Sequence, residues 1–178
     1  MADDSDQALV QRAKAGDRRA FAALVDRHYG ALHRFAWRCL GDAAEAEDAA
    51  QEALIRIARG LDGFEGRSSF TTWATGVALN CARDALRARR RRVASLEDAR
   101  TEAEIEASVR DDAGPEEALW EAVRGLPEAL REAVLLVHVE GFSHRAAAEA
   151  LGCAEATVSW RLFSARRKLK SALARETA

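Results

Sequence analysis

Apolar residues recur at spacings of three and four along most of the chain, the period of an amphipathic helix. Asp6 to Ala15 reads as a short helix with Leu9, Val10 and Ala13 on one side and Gly16 after it. Asp17 is placed to cap a second helix. Its stripe is Phe21, Leu24, Val25, His28, Leu32, Phe35, Ala36 and Cys39, and Gly41 ends it. Asp42 caps a third helix, with Ala46, Ala49, Ala50, Ala53, Leu54 and Ile57 inward. The opposite face of that helix carries Asp48, Gln51, Glu52, Arg56 and Arg59. Gly60 to Ser68 is a loop with three glycines, and Ser68 or Ser69 caps a fourth helix.

The pattern then stops. Val93 to Gly114 is polar, acidic and aperiodic, so it reads as a flexible linker, partly disordered or loosely helical. Periodicity returns at Pro115, a residue suited to the first position of a helix. Leu119, Trp120 and Val123 mark one helix; Leu130, Val134, Leu135 and Val137 mark the next, which ends at Gly141. Two more follow, Ser143 to Leu151 and Ala154 to about Ala174. Strand-like alternation is nearly absent, and Ala, Leu, Arg and Glu are strong helix formers. The expected fold is all-α, with two small helical domains, residues 1–93 and 115–178, joined through residues 94–114.

The last helix pair is the sharpest local signal. In HRAAAEALGCAEATVSWRL the small residues Ala147 and Ala148 let two helices cross closely, and Gly152 permits the tight turn between them. That is a helix-turn-helix. On its second helix Val158, Leu162, Ala165 and Leu169 face the core. Thr157, Trp160, Arg161, Ser164, Arg167 and Lys168 are left outward, as groups that meet base edges and phosphates must be. An ordinary helical hairpin is the plain alternative.

Charge sharpens the picture. The net charge is only −2, which by itself does not suggest a nucleic-acid binder. The distribution does. From Arg83 to Arg92 there are six arginines and one acid, and from Glu155 to Lys170 five bases and one acid. The first of these blocks closes the stretch FEGRSSFTTWATGVALNCARDALRARRRR, in which Phe64, Phe70 and Trp73 precede the arginines. Aromatic faces stack on unpaired bases and guanidinium groups neutralise phosphates, so the pairing suits a single-strand binder. A core helix with a solvated basic end has the same composition.

Other chemistry is not evident. Cys39, Cys81 and Cys153 are far apart and form no metal-ligand or disulfide pattern, which leaves buried or incidental thiols, with a redox role as the alternative. The four histidines are scattered, so no metal site is expected, nor any cofactor. No apolar run approaches the ~18 residues of a membrane helix. The start, MADDSDQALV, lacks the apolar core of a signal peptide, and the expected location is the cytoplasm.

Taken together these segments resemble a bacterial RNA polymerase sigma factor of the extracytoplasmic-function (ECF) group, over nearly the whole chain. AFAALVDRHYGALHRFA is similar to the start of the promoter-melting domain, and AEDAAQEA, within Glu45 to Ala53, matches the AEDxxQE signature. GFSHRAAAEALGC and TVSWRLFSARRKL look like the second domain. The resemblance implies that residues 1–93 dock on the polymerase and melt and read the −10 element, and that residues 115–178 read −35.

It also implies roles by position. Asp48, Gln51, Glu52, Ile55 and Arg56 match the surface that docks on the β′ clamp helices, where the bland reading is a solvated face. The loop from Asp62 to Ser69 matches the one that captures a flipped −10 base, which points to Phe64, Ser68 and Phe70, unless the two phenylalanines pack inward and merely anchor the loop. Trp73 has both readings, stacking or core. Asn80 matches a base-reading position, with Arg83, Arg87 and Arg89 to Arg92 on the backbone. Thr157, Trp160, Arg161, Ser164, Arg167 and Lys168 are the −35 candidates, the last two as phosphate contacts. Ser159, Trp160 and Ser164 depart from the usual recognition-helix text, so no promoter sequence carries over. The implied partners are core polymerase, through the β′ clamp helices and the β flap, promoter DNA, and an anti-sigma factor as regulator. The implied protein is not an enzyme. The rivals are a stand-alone helix-turn-helix regulator and an adaptor with no DNA role; promoter-dependent transcription with core polymerase separates them.

Overall fold

The computed structural model describes residues 4–99 and 115–176. Every regular element among them is helical. Four helices come first: α1 (Asp6–Lys14), α2 (Arg18–Leu40), α3 (Ala43–Gly60) and α4 (Phe70–Ala99). Four more follow: α5 (Pro115–Arg124), α6 (Glu128–Val134), α7 (His144–Leu151) and α8 (Glu155–Glu176). Most of the expected linker, residues 100–114, lies outside the described residues, but α4 runs on to Ala99, past the expected domain boundary at 93.

The helix starts are local events. Ser5, Asp17, Asp42 and Ser143 each accept a hydrogen bond from a first-turn backbone N–H of the helix they precede. Ser69 does the same for α4, accepting from the Thr72 N–H at 3.0 Å. Gly41 closes α2 with φ +72°, a left-handed conformation that side chains resist. The Arg124 side chain of α5 packs where a Cβ on Gly41 would stand, 2.7 Å from its Cδ.

α2, α3 and α4 form the centre of the first domain, with α1 laid across them. Phe35, Leu24, Ile57 and Leu79 are among its fully buried side chains. In the second domain α8 packs on α6 and α7, and Val158 and Ala165 are fully buried. After Val134 the α6 helix widens into a π segment, Leu135–Val139, which the periodicity did not foretell.

The two domains are packed against one another. Leu135 and Leu136 at the widened turn are completely buried, and they join Val123, Ala147 and Leu151 in one apolar cluster with the first domain. Polar clasps surround this seam. Arg38 of α2 donates to Glu140 at 3.0 Å, and Arg90 of α4 meets Glu128 at 3.1 Å. Two arginine–tryptophan contacts cross it in opposite directions, Arg38 over Trp120 and Arg124 over Trp37.

Candidate nucleic-acid interface

The loop between α3 and α4 is held in place from both sides. A short 3-10 turn, Leu61–Gly63, buries Leu61 beneath it. Lys14 of α1 donates to the carbonyls of Asp62 at 3.0 Å and Phe64 at 2.6 Å. Gly66 takes φ +72° at the loop tip. The aromatic rings after the turn form a cage. Phe64 is tilted 30° to Trp73, 4.9 Å between centroids, and edge-on to Phe70. His28 packs on Phe70 at 5.1 Å.

This cage borders an open cavity of about 400 Å³, within the ~300–1,000 Å³ range of ligand sites. Phe64, Gly66, Ser68, Ser69 and Phe70 line one wall. The other wall is α1, with Asp6, Gln7, Val10 and Gln11. Those α1 residues were not anticipated. Nothing in their local spacing reports a wall that forms only when α1 crosses the loop.

Asp6 is the fixed point of that wall. It accepts from Arg27 at 2.7 Å and is 2.9 Å from the His28 ring. Burial works to raise its pKa, but the hydrogen bonds from Arg27 and His28 outweigh burial and hold the carboxyl below its ordinary value.

The expected −10 residues are treated unequally by the structure. Phe64 and Ser68 are half-buried at the cavity edge, and Asn80 is exposed on α4. Phe70 is 5% exposed, so it forms the cavity floor and offers no open face for a base to stack on. The inward reading of Phe70 is the one realised; the reason is that it starts α4 directly above His28 and Trp73. Arg83 is also not free to hold a phosphate here. Its guanidinium donates to Glu132 of α6, at 2.7 Å for Nη2, and that carboxylate is 5% exposed. Arg87 is exposed and donates to Asp84. In the arginine block, Arg89 and Arg92 reach back to Glu45 at the start of α3.

On the expected polymerase face, Asp48, Gln51 and Ile55 are exposed, Ile55 to 45%. Gln51 donates to Glu47 at 2.8 Å. Arg56 bridges Glu52 and Asp84, and those two hydrogen bonds raise its already high pKa further. The face therefore carries an ordered ion-pair row with one protruding apolar side chain.

In the helix-turn-helix, Gly152 makes the turn with φ +62°. Trp160, Arg167 and Lys168 are exposed, while Thr157, Arg161 and Ser164 are half-covered on the same helix. Ser159 meets the His144 ring at 3.0 Å, joining the two helices of the motif. Phe163, 62% exposed, stands beside Arg167 and was not among the expected contacts. Among the described residues, no group of three or more His, Cys, Asp or Glu could hold a metal, and no helix is long and apolar enough to cross a membrane.

A helix-turn-helix with a cationic second helix reads duplex DNA, and an aromatic-lined cavity suits an unpaired base. The fold therefore defines a two-module DNA-binding protein. Comparison with known proteins gives it a family. The Sigma-70 region 2 family model matches residues 24–92, and the Sigma-70 region 4 model matches residues 116–169. RNA polymerase sigma-H factor of Pseudomonas aeruginosa is 36% identical, over 96% of this chain and 94% of its own. ECF RNA polymerase sigma-E factor of Escherichia coli K12 is 33% identical over 91% of each chain. The chain belongs to the sigma-70 family of RNA polymerase sigma factors, in its ECF group.

Two solved structures are similar along most of the chain. The sigma factor RpoE from Bartonella quintana, in complex with the anti-sigma factor NepR, superposes with a TM-score of 0.70 at 27% identity, covering 86% of this chain and 96% of that one. CnrH, in complex with the cytosolic domain of CnrY, gives 0.72 at 29% identity, covering 97% and 99%.

Proposed function

We propose that this sigma factor divides its work as follows. Residues 1–93 dock on core RNA polymerase and handle the −10 element. Residues 115–178 read −35. Phe64 and Ser68 border the pocket for one flipped base, Phe70 is its floor, and Asn80 reads a neighbouring base edge. Arg87 and, once released from Glu132, Arg83 hold the backbone. Arg161, Trp160, Thr157 and Ser164 face the −35 major groove, with Arg167 and Lys168 on phosphates. Asp48, Gln51, Glu52, Ile55 and Arg56 meet the β′ clamp helices, and the second domain meets the β flap.

The observation that carries this reading is the cavity of about 400 Å³ between α1 and the loop, open to solvent and bordered by Phe64 and Ser68. Flipping a base costs a few kcal/mol of stacking, and a pre-formed aromatic pocket returns that energy. The protein supplies recognition and strand trapping; the polymerisation chemistry is the polymerase's. It works in the cytoplasm, where the template is. The similar RpoE was solved with the anti-sigma factor NepR bound, which supports an anti-sigma factor here as well.

The test is run-off transcription with core polymerase on templates carrying all four bases at each −10 position. Exchanging the loop from Asp62 to Ser69 for that of another ECF sigma factor should change the preferred base while core binding persists. An unchanged preference moves the specificity to Asn80 and its helix neighbours.

A further inference from the structure

The two walls of the cavity beside the α3–α4 loop differ in chemistry. The loop wall carries the rings of Phe64 and Phe70 with Ser68 and Ser69. The α1 wall carries Asp6, Gln7 and Gln11 around Val10. Gln7 and Gln11 stand one turn apart on the same face of α1, and both are exposed. Among the described residues, neither amide side chain is bonded to another group.

Asp6 is held in place but not used up. Arg27 donates to its Oδ1 at 2.7 Å, and the His28 Nε2 lies 2.9 Å from its Oδ2. A carboxylate offers about four lone-pair sites, so these two contacts leave acceptor capacity. A quarter of the side chain, 26%, remains exposed. His28 also packs on Phe70 at 5.1 Å, which ties the carboxylate to the cavity floor.

We propose that α1 supplies the polar edge of the pocket: the Asp6 carboxylate accepts from the exocyclic amino group of the captured base, and the Gln7 and Gln11 amides pair with the ring positions beside it. The inference rests on the reading of this cavity as the pocket for one flipped base, and it names the class of base taken. An ionised carboxylate can only accept. Adenine, cytosine and guanine each carry an exocyclic amino group, whereas thymine carries carbonyl oxygens and a methyl. A thymine oxygen facing Asp6 would set acceptor against acceptor, and both would lose water without gaining a donor. An amide both donates and accepts, so the two glutamines can sort among the three amino-bearing bases. The Phe64 ring stacks on any base, because every base has a π-face. The acids Asp6 and Glu65 on the lining disfavour a phosphate there, so the nucleotide enters base first.

The test uses the full chain with core polymerase and fluorescent single strands spanning the −10 element. The captured position is found first, as the one where an abasic site leaves Phe64→Ala with no further effect on binding. There the four bases are compared, together with the analogue of the preferred base that lacks only the amino group: purine for adenine, pyrimidin-2-one for cytosine, hypoxanthine for guanine. Thymine should bind more weakly than the preferred base by a factor on the order of 5 to 150, the range of one good base-edge pair. The analogue should lose a similar factor with the natural chain and much less with Asp6→Asn, whose amide presents a donor as well as an acceptor. Gln7→Ala with Gln11→Ala leaves Asp6 in place, so it should change the order among the amino-bearing bases and keep thymine last.

The comparison of bases and analogue on the natural chain needs no variant, so it decides the matter even where Asp6→Asn folds poorly. A preference for thymine at the captured position overturns the proposal. So does an analogue that binds as well as its parent base, or one whose loss is the same in Asp6→Asn. In those cases a captured position still exists and the pocket stands without the α1 edge. If no −10 position is coupled to Phe64, the pocket reading itself fails, and the proposal with it.

Discussion

The ammonium of Lys14 donates to the carbonyl of Phe64 at 2.6 Å, across fifty positions of sequence. This bond pins the start of the loop to the end of α1, and a cavity opens between them. The loop is therefore a wall of a shared pocket, and changes in α1 should be felt in −10 recognition.

Gln7→Ala and Gln11→Ala remove polar side chains from the α1 wall without touching the loop. Each should alter −10 base preference in run-off transcription, while core binding and helicity stay the same. Unaltered preference in both variants would remove α1 from the pocket's recognition surface.

Phe64 and Phe70 should separate in their effects. Phe70→Ala empties a buried site and should cost about 3–5 kcal/mol in urea unfolding. Phe64→Ala, at a half-buried position, should cost less stability and should weaken trapping of the open strand, read by permanganate reactivity of unpaired thymines. Equal stability losses would mean that both rings serve as core.

Asp6 gives a pH dependence with a definite sign. Its pKa is depressed in the folded chain by Arg27 and His28 against the opposing pull of burial. A depressed carboxyl contributes stability above its unfolded pKa and loses it as pH falls through the folded one. Asp6→Asn should therefore lower stability at pH 7 by on the order of 1 kcal/mol, the size of one hydrogen-bonded charge contact. Thermal melts of the two proteins should converge as the solution is acidified below the folded pKa. A difference that persists there assigns the loss to packing.

Gln51→Ala with Glu52→Arg alters the exposed row of α3 and leaves its buried stripe intact. The Arg56–Asp84 pair at 2.8 Å remains to hold the helix against α4. Core-polymerase affinity should fall with no change in helicity by circular dichroism. Normal affinity would sink the docking assignment for this face.

Arg161→Ala should weaken −35 binding by ~1–3 kcal/mol and relax preference at one position if the side chain reads a base. If it touches only phosphate, the loss should be uniform across sequences and the salt dependence should flatten. Competition binding with −35 variants at two salt concentrations distinguishes them.

The eight helices of the described residues, the caps at Asp17, Asp42 and Ser69, and the helix-turn-helix were legible along the chain, because each depends on contacts within a few residues. Asp17, Asp42 and Ser69 cap helices three residues or fewer away, and Gly152 turns the motif by its own φ. The outward set on α8 follows from the same short period. What local pattern could not decide was which side chains remain available. Phe64 and Phe70 have the same chemistry, but α2 places His28 under one of them only. The arginines from Arg83 to Arg92 read as a single cationic block, yet Glu132 takes Arg83 from 49 positions away and Glu45 takes Arg89 and Arg92 from 44 and 47. Long-range ion pairs and ring contacts depend on how helices are laid beside one another. For Arg83 that is settled by burial of the apolar seam around Leu135 and Leu136, and for Arg89, Arg92 and Phe70 by the packing of α2, α3 and α4, so only the tertiary structure assigned these partners.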